Sequence, residues 1–191
     1  MVYLNTEVES LNPERALEAV SPQRREAALR YVKESDRKLS LAAYRLLQEA
    51  LEKEYGIREA PVFGFGPHGK PFLRDFPHIH FNLSHCPGVA MCAVDTAPVG
   101  CDVEAVPAAL DRDLCSHVCN AQELEEVLGA PSPERAFTTL WTRKEAFLKY
   151  TGEGLTDGLK ELLLSPAAKA VRLETVTAPD GSYVYTVCRK K

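Results

Sequence analysis

The hydrophobic residues of this chain alternate between helical and strand spacing, and that alternation constrains the fold more than any other feature of the sequence. Over 22–55 (PQRREAALRYVKESDRKLSLAAYRLLQEALEKEY), Ala28, Tyr31, Val32, Leu39, Ala42, Ala43, Leu46, Leu47 and Leu51 recur at helical spacing. Ser21 and Pro22 stand where a cap and a first helical residue belong, and the polar KESDRK predicts a split into two helices. Past Gly64, Gly66, Pro67 and Gly69 the apolar residues fall into short runs, HIHFNLSH, GVAMCAVDT and VGCDVEAV. These read as strands, with Asp95 to Pro98 turning the second into the third. GFGPHGK reads as a loop, because it lacks the strand, helix and following Ser or Thr of a phosphate-binding P-loop.

The order then repeats. After a loop, Asn120 followed by Glu123 predicts a capping box opening AQELEEVLG. Ser132 and Pro133 open a longer helix, PERAFTTLWTRKEAFLKYTGEG, which should end near Gly152 and Gly154, where glycine supplies a left-handed cap. AVRLETV and SYVYTVC flank APDG, the signature of a terminal hairpin. The fold class is therefore α+β, each half supplying helices packed on a small sheet, with halves at 1–97 and 98–191.

Composition narrows the function classes. With 191 residues, 45% of them hydrophobic, the chain can bury a real core and is not disordered. A formal net charge of -4 gives no general grip on nucleic acid, although residues 141–191 carry nine Lys and Arg against six Asp and Glu. No apolar run approaches the roughly 18 residues of a spanning helix, and MVYLNTEVESLNPE is acidic where a signal peptide is basic, so a cytoplasmic protein is expected. The six cysteines read as buried free thiols. Cys115, His117 and Cys119 crowd together, but no second ligand pair at zinc spacing accompanies them.

Three stretches carry candidate chemistry. In VGCDVE, Asp102 and Glu104 lie two apart on a strand and share a face; with Cys101 and Val103 pointing into the core, the acids should point away from it together. Such a pair is a solvated strand face or a site for a hard divalent cation that takes oxygen ligands. In WTRKEAFLKYTGEG, Trp141, Glu145 and Lys149 fall at i, i+4 and i+8, and Glu145 lies along the apolar stripe of Phe137, Leu140, Trp141 and Leu148. A carboxylate there needs a partner, and a metal is one candidate. In HFNLSHC, Ser84 and His85 end a strand before a Pro87-Gly88 turn, where they can bind a phosphate oxygen or cap their own turn.

In this order, GKP (Gly69 to Pro71), FNLSH (Phe81 to His85), VGCDVE (Val99 to Glu104) and WTRKEAFLKYTGEGL (Trp141 to Leu155) resemble the 4′-phosphopantetheinyl transferases of the surfactin-synthetase-activating type. The resemblance covers about residues 22–165. It implies a pseudo-dimer of two similar α+β halves with coenzyme A in the cleft between them. It implies that Asp102, Glu104 and Glu145 are magnesium ligands, and that Lys149 contacts the coenzyme A pyrophosphate with Lys144 beside it. Ser84 and His85 correspond to residues near the 3′-phosphate, and Lys70 with Pro71 to the adenine pocket.

Trp141 reads as structural. Relatives often carry an arginine for the 3′-phosphate where this chain has Tyr44 beside Arg45, which leaves Lys33 and Lys38 as substitutes. The implied reaction is magnesium-dependent transfer of 4′-phosphopantetheine from coenzyme A to a serine of an apo acyl or peptidyl carrier protein by a monomeric enzyme, Glu145 or a metal-bound water taking the serine proton. Carrier proteins usually offer an acidic helix, so a basic or apolar lip from the C-terminal half is expected. A magnesium-dependent phosphodiesterase and a coenzyme A binding module without activity are the alternatives.

Overall fold

The computed structural model of the chain describes residues 1–154 and 158–191; Leu155, the last residue of the WTRKEAFLKYTGEGL stretch, lies outside them. The strands are β1 (Val2–Asn5), β2 (Phe63–Phe65), β3 (Pro71–Leu73), β4 (His80–Cys86), β5 (Val89–Asp95), β6 (Val99–Ala105), β7 (Val171–Thr177) and β8 (Tyr183–Lys190). The helices are α1 (Pro13–Glu18), α2 (Pro22–Leu29), α3 (Glu34–Tyr55), α4 (Arg112–Val118), α5 (Ala121–Gly129), α6 (Pro133–Thr151) and α7 (Pro166–Lys169). The chain is α+β and divides into two compact units, Met1–Val99 and Gly100–Lys191.

In the first unit an antiparallel sheet of order β1-β5-β4 carries α3. The Ser21 hydroxyl accepts the Arg24 backbone N–H at the start of α2, and α3 begins at Glu34, inside the polar stretch that predicted a break. Between Leu39 and Leu47 almost every residue of α3 is buried, because the helix packs on β5 and β4 and is flanked by α1 and α2. Tyr31 and Val32, expected on the apolar stripe, are instead exposed: they fall in the break between α2 and α3. β1 is too short to show a period, yet it pairs along the central strand β5 from Val2↔Ala93 to Asn5↔Ala90. GFGPHGK is not a plain loop. It spans the turn of the β2–β3 hairpin, in which Phe65 pairs with Pro71.

The second unit holds a sheet of order β6-β8-β7 with α6 packed on β8 and β7. The strand after Pro98 thus enters a different sheet from β5. The Asn120–Glu123 capping box is formed in both directions, and α6 ends at Gly152 in the left-handed region at φ 76°. Ser132 makes no side-chain cap, while Pro133 takes the first turn. Thr142 Oγ1 and Thr175 Oγ1 each lie 2.9 Å from Thr186 Oγ1, a buried hydroxyl chain fixing α6 to β8 and β7. All six cysteines are buried. No helix among the described residues is long and apolar enough to cross a membrane.

Candidate active site

The acids of VGCDVE do not point away from the protein. α6 covers their face of β6 and leaves Asp102 2% exposed, as buried as Cys101 and Val103 on the other face. A buried carboxylate needs a cation, and Lys149, two turns along α6 from Trp141, supplies one: its Nζ donates to Asp102 Oδ1 at 2.6 Å. Burial alone would lower the pKa of this lysine; the Asp102 carboxylate outweighs that and raises it instead.

Glu104 and Glu145 are half-buried beside this pair. Burial first, and then the Asp102 charge, push the Glu104 carboxyl up to about 7, against a smaller opposing pull from Lys149 and a hydrogen bond from Trp141. Burial likewise raises Glu145, with Lys149 pulling back and Asp102 adding to the rise. Asp102, Glu104, Glu145 and Lys149 are therefore one electrostatic cluster. Trp141, read from sequence as structural, does stack against Phe137 with ring centroids 6.4 Å apart, but its indole N–H also serves Glu104. Only the i, i+4 spacing from Glu145 could have signalled this.

Three carboxylates offering only oxygen donors suit a hard cation such as magnesium, which takes one or two carboxylates and completes its shell with water and substrate phosphates. They do not form a finished cage on their own: among the described residues no three His, Cys, Asp or Glu side chains are placed to hold a metal ion. Cys115, His117 and Cys119 make no such group either, and the His117 ring lies 2.7 Å from the Asp113 carbonyl through Nδ1.

Lys144 stands apart. Its side chain is fully buried and its ammonium donates to Val118 O at 2.9 Å, Leu159 O at 2.7 Å and Glu123 Oε2 at 2.7 Å. All three protons are used within the protein. One residue off the Glu145 and Lys149 face, Lys144 turns inward and ties α4 and the cap of α5 to the segment at Leu159.

In the first unit, Lys70 and Pro71 sit at the end of the β2–β3 hairpin, with Lys70 Nζ donating to Val99 O at 3.2 Å. Ser84 is buried and His85 exposed on β4, opposite Met91 and Ala90. Tyr44 is buried and donates to Pro61 O at 2.6 Å, so its hydroxyl is committed to the core. Lys38 binds Glu9 O and Glu34 at the surface, and Lys33 is the N-cap residue of α3.

The basic residue that sequence reasoning passed over is Arg24. Its guanidinium lies over the Tyr44 ring at 5.7 Å, and Nη2 donates to the Ser40 carbonyl at 2.7 Å and to the Ser40 hydroxyl. Its Nε is buried with no hydrogen-bond partner among the described residues, and burial lowers the pKa of the group. A cation held this way is short of an anion.

A family model described as the 4′-phosphopantetheinyl transferase superfamily matches residues 98–188, and one described as 4′-phosphopantetheinyl transferase, N-terminal matches 10–97. The chain is 32% identical to the 4′-phosphopantetheinyl transferase psf-1 of Bacillus pumilus, over 97% of its own length and 83% of that relative. It is 32% identical to a 4′-phosphopantetheinyl transferase of Bacillus subtilis and 28% identical to the transferase Sfp of its strain 168, in each case over 81% of this chain and 70% of the relative. Since the two models between them take in both halves, and the similarity to psf-1 runs nearly end to end, the chain belongs to the 4′-phosphopantetheinyl transferase family.

Proposed function

We propose that this chain transfers the 4′-phosphopantetheine group of coenzyme A to a serine hydroxyl of an apo acyl or peptidyl carrier protein and releases 3′,5′-adenosine bisphosphate. The observation that carries the reading is the buried Asp102–Lys149 pair flanked by Glu104 and Glu145, in a chain of this family. The serine oxygen forms a bond to the β-phosphorus of coenzyme A while the bond from that phosphorus to the bisphosphate oxygen breaks, and negative charge moves onto the leaving phosphate.

Asp102, Glu104 and Glu145 would hold magnesium, which when bound offsets charge on the pyrophosphate oxygens. Lys149, kept charged by Asp102, offsets the charge on the departing phosphate. Glu145, whose proton affinity burial has raised, takes the serine proton directly or through a water. On the coenzyme side, Lys70 and Pro71 meet the adenine, and Ser84 and His85 meet phosphate oxygens. Arg24 supplies the charge for the 3′-phosphate, since the Tyr44 hydroxyl is committed to Pro61 O. Lys144 has no part in binding coenzyme A.

The carrier is taken to dock on the second unit, where Val127, Ala136, Leu140 and Leu163 line a cavity of about 410 Å³ together with Arg143, Glu123 and Glu126. The enzyme is taken to act as a cytoplasmic monomer. A phosphodiesterase and an inactive coenzyme A binding module draw no support from the relatives, all of which carry the transferase name.

Intact-mass spectrometry of several apo carrier proteins, incubated with the protein, coenzyme A and magnesium, tests the reading. One phosphopantetheine mass per carrier is expected, lost in Asp102→Ala. No gain on any carrier would sink it.

A further inference from the structure

Gly100 lies on the same face of β6 as Asp102 and Glu104, two and four residues before them. A Cβ built at Gly100 would stand 2.1 Å from the Ala146 carbonyl oxygen, 2.4 Å from the Tyr150 nitrogen and 2.8 Å from the Tyr150 Cα. Those are backbone atoms of α6, which cannot swing aside as a side chain can. β6 and α6 therefore touch main chain to main chain at this point, and only glycine permits it.

The contacts then run in opposite order along the two elements. Gly100 meets Ala146 and Tyr150, Asp102 meets Lys149, and Glu104 meets Trp141 and is coupled to Glu145. Along β6 exposure follows the same course, Gly100 and Asp102 being buried and Glu104 half-open, while on α6 Ala146 is buried and Trp141, Glu145, Lys149 and Tyr150 are half-open. The two elements form a wedge, closed at Gly100 and open at Glu104.

We propose that Gly100 is a positioning residue that sets the depth of this wedge, so that the short Asp102 side chain spans from β6 to Lys149 at 2.6 Å. The metal-binding part of the argument rests on the reading of the site given above; the spacing part does not. A side chain at 100 would have to open the 2.1 Å approach to the Ala146 carbonyl to an ordinary contact of at least 3.4 Å, separating α6 from β6 by as much as about 1.3 Å. That displacement is close to one carbon–carbon bond, about 1.5 Å. A carboxylate one methylene longer should fit the lifted helix and not the native one.

The test is a rescue. Gly100→Ala, Asp102→Glu and the double variant are compared by melting temperature in metal-free buffer and by the dissociation constant for Mn²⁺. Each single variant should melt lower than the wild type and bind Mn²⁺ at least tenfold more weakly. The double variant should regain half or more of the melting temperature lost by Gly100→Ala and bind Mn²⁺ within threefold of the wild type.

If Gly100→Ala does not fold, recovery of a folded double variant still supports the assignment. A double variant that is additive or unfolded overturns it, and so does an Asp102→Glu protein with wild-type stability. A general packing role for the glycine predicts no rescue by a longer acid. A wild-type protein that fails to bind Mn²⁺ would count against the metal reading alone, because the melting comparison contains no metal.

Discussion

Lys149 Nζ and Asp102 Oδ1 lie 2.6 Å apart across the α6–β6 contact, with Asp102 2% exposed and the Lys149 side chain 30% exposed. Removing the lysine would leave a carboxylate buried beside two others. Lys149→Met should therefore destabilise the protein by roughly 2–4 kcal/mol, below the full range for a buried pair because the lysine is partly in water. Asp102→Asn added to it should recover part of the loss, since the stranded charge is then gone. Urea unfolding of both single variants and the double decides this, and strict additivity would show that the pair is not coupled. Turnover of Lys149→Met should fall at least about 10²-fold, the usual cost of losing a group that meets developing charge.

Glu104 gives the site a dependence on pH. Its carboxyl ionises near 4.5 when unfolded and only at about 7 in the metal-free fold, where burial and the Asp102 charge oppose ionisation. Its contribution to stability is complete below 4.5 and is lost as pH rises through about 7, because the unfolded state releases that proton first. Metal-free melting curves between pH 4.5 and 8 should fall more steeply for the wild type than for Glu104→Gln. Parallel curves for the two proteins would contradict the shift.

Lys144 tests the separation between structure and chemistry. Its ammonium is fully buried on two carbonyls and the Glu123 carboxylate. Lys144→Met should cost roughly 3–5 kcal/mol of stability, because the buried acceptors lose their donor. The KM for coenzyme A of the folded fraction should change less than about twofold. A large KM effect with unchanged stability would return the residue to the coenzyme site.

Arg24 should discriminate between coenzyme A and its 3′-dephospho form. A charged hydrogen bond contributes about 1.5–3 kcal/mol, so Arg24→Met should raise the KM for coenzyme A by roughly 10- to 100-fold and leave that for dephospho-coenzyme A nearly unchanged. Taking the ratio of the two cancels any loss of folded enzyme. An equal effect on both substrates would remove the residue from the 3′-phosphate.

Much of this was readable along the chain. The long helices, the capping box at Asn120, the α6 stop at Gly152 and the terminal hairpin follow from period, capping chemistry and turn residues, all of which act between neighbours. The acids and Lys149 could be nominated by their spacing and by resemblance. Long-range packing was not legible. Strand β1 has four residues and no period, and it exists because β5 offers it an edge. The burial of Asp102 depends on α6 lying over β6, which a two-residue alternation does not reveal.

Neighbouring positions on one helix met opposite fates for the same reason. That Lys144, Glu145 and Lys149 ride on one helix is a local property, legible in the spacing of the chain. That Lys144 spends its charge inside the protein while Glu145 and Lys149 face the acids of β6 is a consequence of long-range packing. A step of one residue turns a helical side chain by about 100°, and what it meets there depends on elements distant in the chain.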